Sequence, residues 1–398
     1  MGGSKMRIIR VFLFFVLGIV LAAMVGLQAA TNVLVKKQPA IAVGLFPLDG
    51  FALERIAVHR IATAEQSSLD MQILAKELKP IVLEAFRKEP LVPNALAVLA
   101  LSQTDKSAKE NILIVTGKIN RRRLILQTQL LSLYASREDF AGTIGKLNEI
   151  LAVHREQKSV YLPALVEALR DTRSVAPLTE VLEKNPDWKD RFLVSAASDG
   201  QALDNLADLR NLLGRKIDLE PETDRAIILK MANAGKIEQA YSLYQKFSTA
   251  SDSKTPETVY GELNWRSEFP PFDWQLNKER DERAEVASDK QGLEISVKRG
   301  KGGVVAQRLI AVPRMPFSID IEHSSISASV LDDISLEWSC YDDDLPVVKT
   351  PFSASPMKIV INQSEDCELQ RIAVNARAWS QKGNLSGRID SISVKPHQ

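Results

Sequence analysis

Cysteine and histidine are scarce in this chain, with two cysteines and four histidines among 398 residues. The cysteines have no histidines at the spacing of a zinc site, and no histidine stands near a plausible nucleophile. The P-loop, G-x-G-x-x-G, G-x-S-x-G and H-E-x-x-H motifs are also missing. These absences favour a non-enzymatic protein without a metal or cofactor. The alternative is a glycan-modifying enzyme whose catalytic carboxylates leave no mark in the sequence.

The chain also lacks an excess of either charge. Its formal net charge of +1 argues against a nucleic-acid-binding protein, because such proteins usually carry a basic face. The charge is uneven, however, since the part from Glu257 onward has 17 basic and 22 acidic side chains, a balance of −5. We therefore expect this C-terminal part to meet a neutral or cationic partner more readily than a phosphate polymer.

The N-terminus carries a long uncharged run, Val11–Thr31, which follows Lys5, Arg7 and Arg10. As an α-helix this run spans roughly 30 Å, the thickness of a bilayer core. It is longer than the apolar region of a signal peptide and lacks a good cleavage site, so it predicts an uncleaved membrane anchor. The alternative is a cleaved signal sequence. The basic residues favour a cytoplasmic N-terminus, which leaves the rest of the chain outside the cytoplasmic membrane.

Four segments follow from the changes in composition and periodicity. Residues 1–31 form the anchor and residues 32–48 an extended linker. Apolar residues recur at helical spacing over residues 49–256, which predicts a domain of helical repeats. Residues 257–398 show short alternating or clustered apolar runs between turn residues, which predict an antiparallel β-sandwich. The predicted fold class is therefore α + β and multidomain.

The helical half resembles a degenerate array of tetratricopeptide repeats. The best match is Asp224–Phe247, where Gly235, Ala240 and Tyr244 stand at the small and aromatic positions of that repeat. A second segment has matching offsets but carries Glu138 in place of the turn glycine. The resemblance implies four to six helix pairs that dock a protein partner. An irregular helical bundle is the alternative.

Aromatic and cysteine landmarks follow one another along the β half. Trp265 and Trp274 open it, Trp338-x-Cys340 stands near its middle, and Ile389–Val394 closes it. Residues 258–395 resemble a jelly-roll domain of the carbohydrate-binding-module type. The whole chain resembles a group of proteobacterial envelope proteins in which a tetratricopeptide-like region precedes such a sandwich. We expect Trp265, Trp274 and Trp338 to lie in its core.

This resemblance implies a single-pass protein of the bacterial inner membrane with most of its chain in the periplasm. The sandwich would contact a glycan or a protein partner during polysaccharide assembly or export. A scaffold whose sandwich is purely structural is a second interpretation. Sugar binding requires exposed aromatic faces flanked by amides, and the candidates are Trp379, Tyr341, Gln381 and Asn384, with Asn362 and Gln363 as further amides.

The two cysteines, Cys340 and Cys367, lie in the same predicted domain. An oxidising compartment outside the cytoplasm favours a disulfide between them, and two buried thiols are the alternative. Nearby, Asp342, Asp343 and Asp344 offer oxygen ligands for calcium. A solvated acidic loop is the better interpretation of these three residues, so we predict no metal site.

The anchor prediction has a direct test. We expect the full chain to remain in the membrane fraction, and a protease added from the extracytoplasmic side to release a soluble fragment without Val11–Thr31. N-terminal sequencing of the untreated protein provides the check. A mature protein that begins after residue 23–31 would instead identify the run as a cleaved signal.

Overall fold

The structure is a computed structural model that describes residues 3–65, 71–248, 260–289, 291–311, 316–341, 346, 348–362 and 369–396. Its contacts divide the chain into two compact units, Met1–Ala168 and Leu169–Gln398. The second unit contains both helices and strands. The boundary predicted at residue 257 separates these two kinds of secondary structure, and as a domain boundary it stays a prediction.

The α-helices precede the β-strands along the chain, which confirms the predicted fold class. The helices are α1 Gly3–Lys37, α2 Pro39–Leu45, α3 Gly50–Glu65, α4 Met71–Lys88, α5 Pro93–Leu101, α6 Lys106–Ile119, α7 Leu124–Ser136, α8 Phe140–Val153, α9 Lys158–Leu169, α10 Val175–Leu182, α11 Lys189–Ala196, α12 Leu203–Leu213, α13 Pro221–Asn233 and α14 Ile237–Phe247. The strands are β1 Gly261–Glu262, β2 Gln275–Leu276, β3 Glu282–Val286, β4 Leu293–Val297, β5 Gly302–Ala311, β6 Phe317–Ser324, β7 Ile334–Cys340, β8 Val348–Pro351, β9 Met357–Ile361, β10 Leu369–Arg377 and β11 Leu385–Pro396.

The first unit begins with the apolar helix α1. Within the described part of the chain, Phe12–Lys37 is the one helix that is long and apolar enough to cross a membrane. Its large side chains are exposed, among them Phe12 and Phe14. Exposed apolar side chains of this density need a lipid or protein covering in water. A membrane anchor and a signal sequence share this property.

The segment 32–48 differs from the extended linker that we predicted. α1 continues to Lys37, and α2 occupies Pro39–Leu45. The physical reason lies in the residue types, since alanine and leucine favour helix. Pro39 adds to this, because a proline at the first helical position loses no hydrogen bond and has its φ already set for a helix. Gln38 is therefore a break between two helices, with α2 beginning directly after it.

The remaining helices of the first unit pack through small and aliphatic residues. Ala57, Leu78, Val82 and Val98 are fully buried where α3, α4 and α5 meet. A carboxylate, Glu54, is also buried there and accepts hydrogen bonds from the backbone N–H groups of Asn94 (2.7 Å) and Ala95 (3.2 Å). These donors belong to the first turn of α5, so a side chain of α3 caps a neighbouring helix that has no cap of its own.

Two helix–turn–helix segments share one turn geometry. In the turn between α7 and α8, Glu138 has a φ of 56°, and in the turn between α13 and α14, Gly235 has a φ of 79°. Both residues stand two positions after one helix ends and two before the next begins. The glutamate thus adopts the left-handed conformation that glycine adopts freely. The missing glycine does not change the local chain path.

The strands form two antiparallel sheets in the second unit. One sheet has the order β3-β4-β11-β6-β9, with β1 also paired to β11, and the other has the order β2-β5-β10-β7-β8. Phe317 of the first sheet contacts Trp338 of the second, with ring centroids 5.1 Å apart. Alternating buried and exposed residues along β4 and β9 place one face of the first sheet in the core. The result is the predicted β-sandwich.

The tryptophans predicted to be core residues are buried. Trp265, Trp274 and Trp338 are all less than one-tenth exposed, as is Trp188 among the helices. The Trp265 and Trp274 rings stack with centroids 5.0 Å apart. The Trp265 indole also donates a hydrogen bond to the carbonyl of Asp390 in β11. The opening segment of the β half is therefore part of the sandwich core.

Within the second unit, α14 packs against the loop that precedes β2. Tyr244 donates a hydrogen bond of 2.9 Å to the buried carboxylate of Asp273. The same carboxylate accepts the backbone N–H of Phe269. Phe272 lies between Tyr241 and Tyr244, with ring centroids 5.2 and 5.1 Å away. This aromatic cluster joins the last helix to the sandwich, which explains why helices and strands share one unit.

The capping carboxylate of Glu54 makes stability depend on pH. Burial raises the pKa of Glu54, and the N–H groups of Asn94 and Ala95 and the charge of Arg123 offset only part of this effect. Because the pKa of Glu54 is higher in the folded state than in the unfolded state, the folded state binds the proton more tightly. The free energy of unfolding therefore falls as the pH rises from the unfolded pKa of Glu54 to its folded pKa. We expect Glu54→Gln to remove this pH dependence while keeping an acceptor for the cap.

Glu54→Ala removes the acceptor as well and should cost about 0.5–2 kcal/mol, the usual range for a lost helix cap. Thermal unfolding of the three proteins between pH 4 and pH 8 provides the measurement. If the melting temperatures of the wild type and Glu54→Gln depended on pH in the same way, the pH dependence could not be assigned to Glu54.

Candidate functional site

Three loops meet at one end of the sandwich around Trp379. These are the β4–β5 turn (298–301), the 3₁₀ helix Ala328–Asp333 before β7, and the β10–β11 loop (378–384). The first and third loops are joined by backbone hydrogen bonds, from Gly300 N–H to the Ala378 carbonyl (2.6 Å) and from Ala378 N–H to the Lys301 carbonyl (2.9 Å). We call this surface the three-loop end.

Trp379 is the exposed tryptophan of the chain. Its side chain is 42% exposed, whereas the other four tryptophans are at most 7% exposed. The Arg377 guanidinium lies 3.9 Å from the centre of the Trp379 ring, so it covers one face of the indole. Such a contact is a cation–π interaction. The ring therefore offers at most one face and its edges to a ligand.

Asp333 holds the indole in a defined orientation. Its Oδ1 accepts a hydrogen bond of 3.0 Å from the Trp379 Nε1–H, and its Oδ2 pairs with the Lys382 ammonium at 2.8 Å. The carboxylate itself is only 7% exposed. Because Asp333 belongs to the 3₁₀ helix and Lys382 to the β10–β11 loop, this network also links two of the three loops. A pre-oriented aromatic ring loses little entropy when it binds a ligand.

The two predicted amide partners lie on the same loop as Trp379. Asn384 accepts the backbone N–H of Arg299 through its Oδ1 at 2.9 Å, and Gln381 accepts the Ser380 hydroxyl at 3.3 Å. Both side chains are exposed. Each amide carries N–H donors besides the oxygen used here, so each has hydrogen-bonding capacity of the kind that sugar hydroxyls need.

The structure does not bring Tyr341 to this surface. Tyr341 follows Cys340, which pairs with Gln370 near the start of β10, whereas Trp379 follows the end of that strand. The eight residue steps from Leu369 to Arg377 correspond to about 26 Å. Tyr341 is 36% exposed, so it is a surface aromatic at the opposite end of the sandwich.

Other predicted residues lie at that opposite end or outside the described part of the chain. Asn362 follows Ile361, which pairs with Phe317 at the start of β6. Phe317 in turn pairs with Pro396, at the far end of β11 from Asn384. Outside the described residues lie Gln363, Cys367, Asp342, Asp343 and Asp344. Cys340 is buried, and its disulfide with Cys367 stays a prediction, as does the absence of calcium from the aspartate loop.

Sequence reasoning missed the charged residues around Trp379. Arg377 stands two residues before Trp379, and side chains two residues apart in an extended segment lie on the same face. Their contact could therefore have been predicted from the sequence. Asp333, 46 residues before Trp379, and Arg299, 80 residues before it, had none. Their positions depend on how the strands are ordered in the two sheets.

The helices of the second unit carry a separate groove between α11 and α13. Its volume is about 570 Å³, and its charged lining consists of Asp187, Asp190, Arg191, Glu220, Glu222 and Arg225. Burial acts to raise the pKa of Asp190, but hydrogen bonds from the Thr223 hydroxyl and the Glu220 N–H bring it below its usual value. Asp190 is thus held as a carboxylate.

Comparison with known proteins adds little to this geometry. No protein-family model matches the chain, and no curated protein is similar to it. Among solved structures, one similar chain is the carbohydrate-binding module TmCBM61 in complex with beta-1,4-galactotriose. The identity is 10%, the match covers 34% of this chain and 99% of that one, and the TM-score is 0.23. A likeness this distant does not bear on the ligand of this protein.

Proposed function

We propose that this protein is a membrane-anchored, non-enzymatic protein whose β-sandwich binds a glycan at the three-loop end. The observation that carries the proposal is the exposure of Trp379 beside two amide side chains, in a chain whose other tryptophans are buried. A flat aromatic face desolvates readily against the C–H surface of a sugar, while amides bond its hydroxyls.

The anchoring part of the proposal is supported by α1, whose exposed apolar surface fits a bilayer. We place the rest of the chain in the periplasm of a bacterium, on the inner membrane, where a disulfide between Cys340 and Cys367 would form. A role in assembling or exporting an envelope polysaccharide follows from this location together with glycan binding.

The helical region supplies the surface for a protein partner in this proposal. The groove between α11 and α13 is lined by four carboxylates and two guanidinium groups, so it suits a partner with a basic segment. This groove is also the observation that favours the second candidate function, a protein scaffold whose sandwich is only structural. The two candidates differ in whether the isolated glycan is bound at all.

The glycan proposal is tested by Trp379→Ala. Because the indole supplies most of the stacking surface, we expect affinity to fall by about 1–3 kcal/mol, roughly 5- to 150-fold, the scale of an interface hot spot. The melting temperature should stay nearly unchanged, since the ring is exposed. Isothermal titration of the detergent-solubilised full chain measures the affinity, with the tightest binder from a panel of neutral and acidic hexo-oligosaccharides as the ligand. A thermal melt measures the melting temperature.

Tyr341→Ala is the matched control, since it removes an exposed aromatic ring from the opposite end of the sandwich. We expect it to leave the affinity unchanged. Loss of folding in Trp379→Ala would show that the ring supports the core. Absence of binding across the whole panel would favour the protein-scaffold function.

A further inference from the structure

The three-loop end is basic, although the C-terminal part of the chain is acidic as a whole. Cationic side chains come from the β4–β5 turn, from the end of β10 and from the β10–β11 loop. They are Lys298, Arg299, Lys301, Arg377 and Lys382, and all five are exposed. A local excess of positive charge attracts anionic ligands, even on a domain whose net charge is negative.

Two of these cations are neutralised by carboxylates, one just before β3 and one within the three-loop end. The Lys298 ammonium pairs with Asp281 at 2.5 Å, and the Lys382 ammonium pairs with Asp333 at 2.8 Å. Each of these pairs cancels positive charge locally. The loops therefore do not present all five charges to a ligand.

The other three cations have no carboxylate at ion-pair distance among the residues that the structure describes. The Arg299 side chain donates its Nε–H to the Ser380 carbonyl, a neutral acceptor, which leaves its positive charge uncompensated. The Arg377 guanidinium lies on the Trp379 ring, which is also neutral. Lys301 stands between them in the chain.

Two further carboxylates oppose part of this charge: Asp332 is exposed in the 3₁₀ helix, and Glu282 accepts the Gly302 N–H at 3.0 Å beside the β4–β5 turn. The surface around the indole thus keeps a modest excess of positive charge.

The backbone is arranged to bring these cations to the indole. A Cβ atom at Gly302 would lie 2.6 Å from the Cγ of Arg377, so only glycine leaves room for the arginine to pass beside β5. The hydrogen bonds between Ala378 and the β4–β5 turn hold Lys301 close to the same loop. The positive charge and the exposed aromatic ring therefore form one surface.

We propose that the glycan bound at the three-loop end is acidic, with a carboxylate or phosphate substituent recognised by Arg299, Lys301 and Arg377. This inference rests on the proposed function, namely that the Trp379 surface binds a glycan. A guanidinium group donates two parallel hydrogen bonds to a carboxylate or phosphate, and such charge-assisted bonds are stronger than neutral ones. The ring stacks on the sugar while the cations hold its acidic group.

The test compares polygalacturonate with its fully methyl-esterified form, which has the same sugar backbone without the charge. We expect the full chain in detergent to bind the acid at least about tenfold more tightly at low salt, a preference worth about 1.4 kcal/mol. Since exposed charges are screened over about 10 Å at 0.1 M ionic strength, the preference should shrink as salt is added. Phosphomannan serves as the phosphate arm and distinguishes the two acidic groups.

The variant for this test is the double substitution Arg299→Gln and Lys301→Gln. We expect it to lose most of the preference for the acid and to keep the affinity for the ester. Lys358→Gln, an exposed lysine on β9, is the control for the change of net charge and should behave as the wild type.

The outcomes separate the two proposals. Equal affinity for the acid and the ester, both reduced by Trp379→Ala, would overturn the acidic preference and leave glycan binding in place. Failure to bind any glycan in the panel would overturn glycan binding itself. The third outcome is that phosphatidylglycerol vesicles capture the protein only when Arg299 and Lys301 are present, while polygalacturonate and phosphomannan do not bind. That outcome would assign the surface to anionic lipid and overturn this inference.

Discussion

The position of the candidate site depends on the hydrogen bonding of β10. This strand pairs with β5 on one side and β7 on the other over most of its length. A strand held on both edges has no freedom to shift its register, because a slip of one residue would turn its buried face outward. The residues that directly follow the end of β10 therefore have a fixed position in the sandwich. Trp379 lies two positions after that end, beside the turn that leads into β5 and the 3₁₀ helix that leads into β7.

The same constraint explains why the surface combines an aromatic ring with charge. The β4–β5 turn supplies Arg299 and Lys301, and the segment before β7 supplies Asp333, each because its strand is a neighbour of β10. Asp333 orients the indole and pairs with Lys382, so the loops are linked by side chains as well as by the backbone. A ligand meets a surface that needs little ordering on binding. The acidic balance of the surrounding domain then confines the positive potential to this end.

Patterns that depend on neighbouring residues were readable from the sequence. Alternation predicted the buried strands, and three tryptophans of the β half were correctly assigned to the core. Trp379 was chosen as the tryptophan with the best chance of exposure, because its neighbours Ser380 and Gln381 are polar, and it is 42% exposed. The extended linker predicted over residues 32–48 was wrong, since α1 continues to Lys37 and α2 occupies Pro39–Leu45. Tyr341 and Trp379 were considered together because both are aromatic and polar-flanked. Only the antiparallel register shows that they lie at opposite ends of β10.

The central claim is that a glycan contacts the indole of Trp379. The most direct measurement is fluorine NMR of the full chain labelled with 5-fluorotryptophan, in which the five tryptophans give separate signals and Trp379→Phe assigns one of them. On titration with polygalacturonate, we expect the Trp379 signal to move and saturate while the signals of the buried tryptophans stay in place. A saturable titration that leaves the Trp379 signal unmoved, or one that moves only the signals of buried tryptophans, would contradict the account.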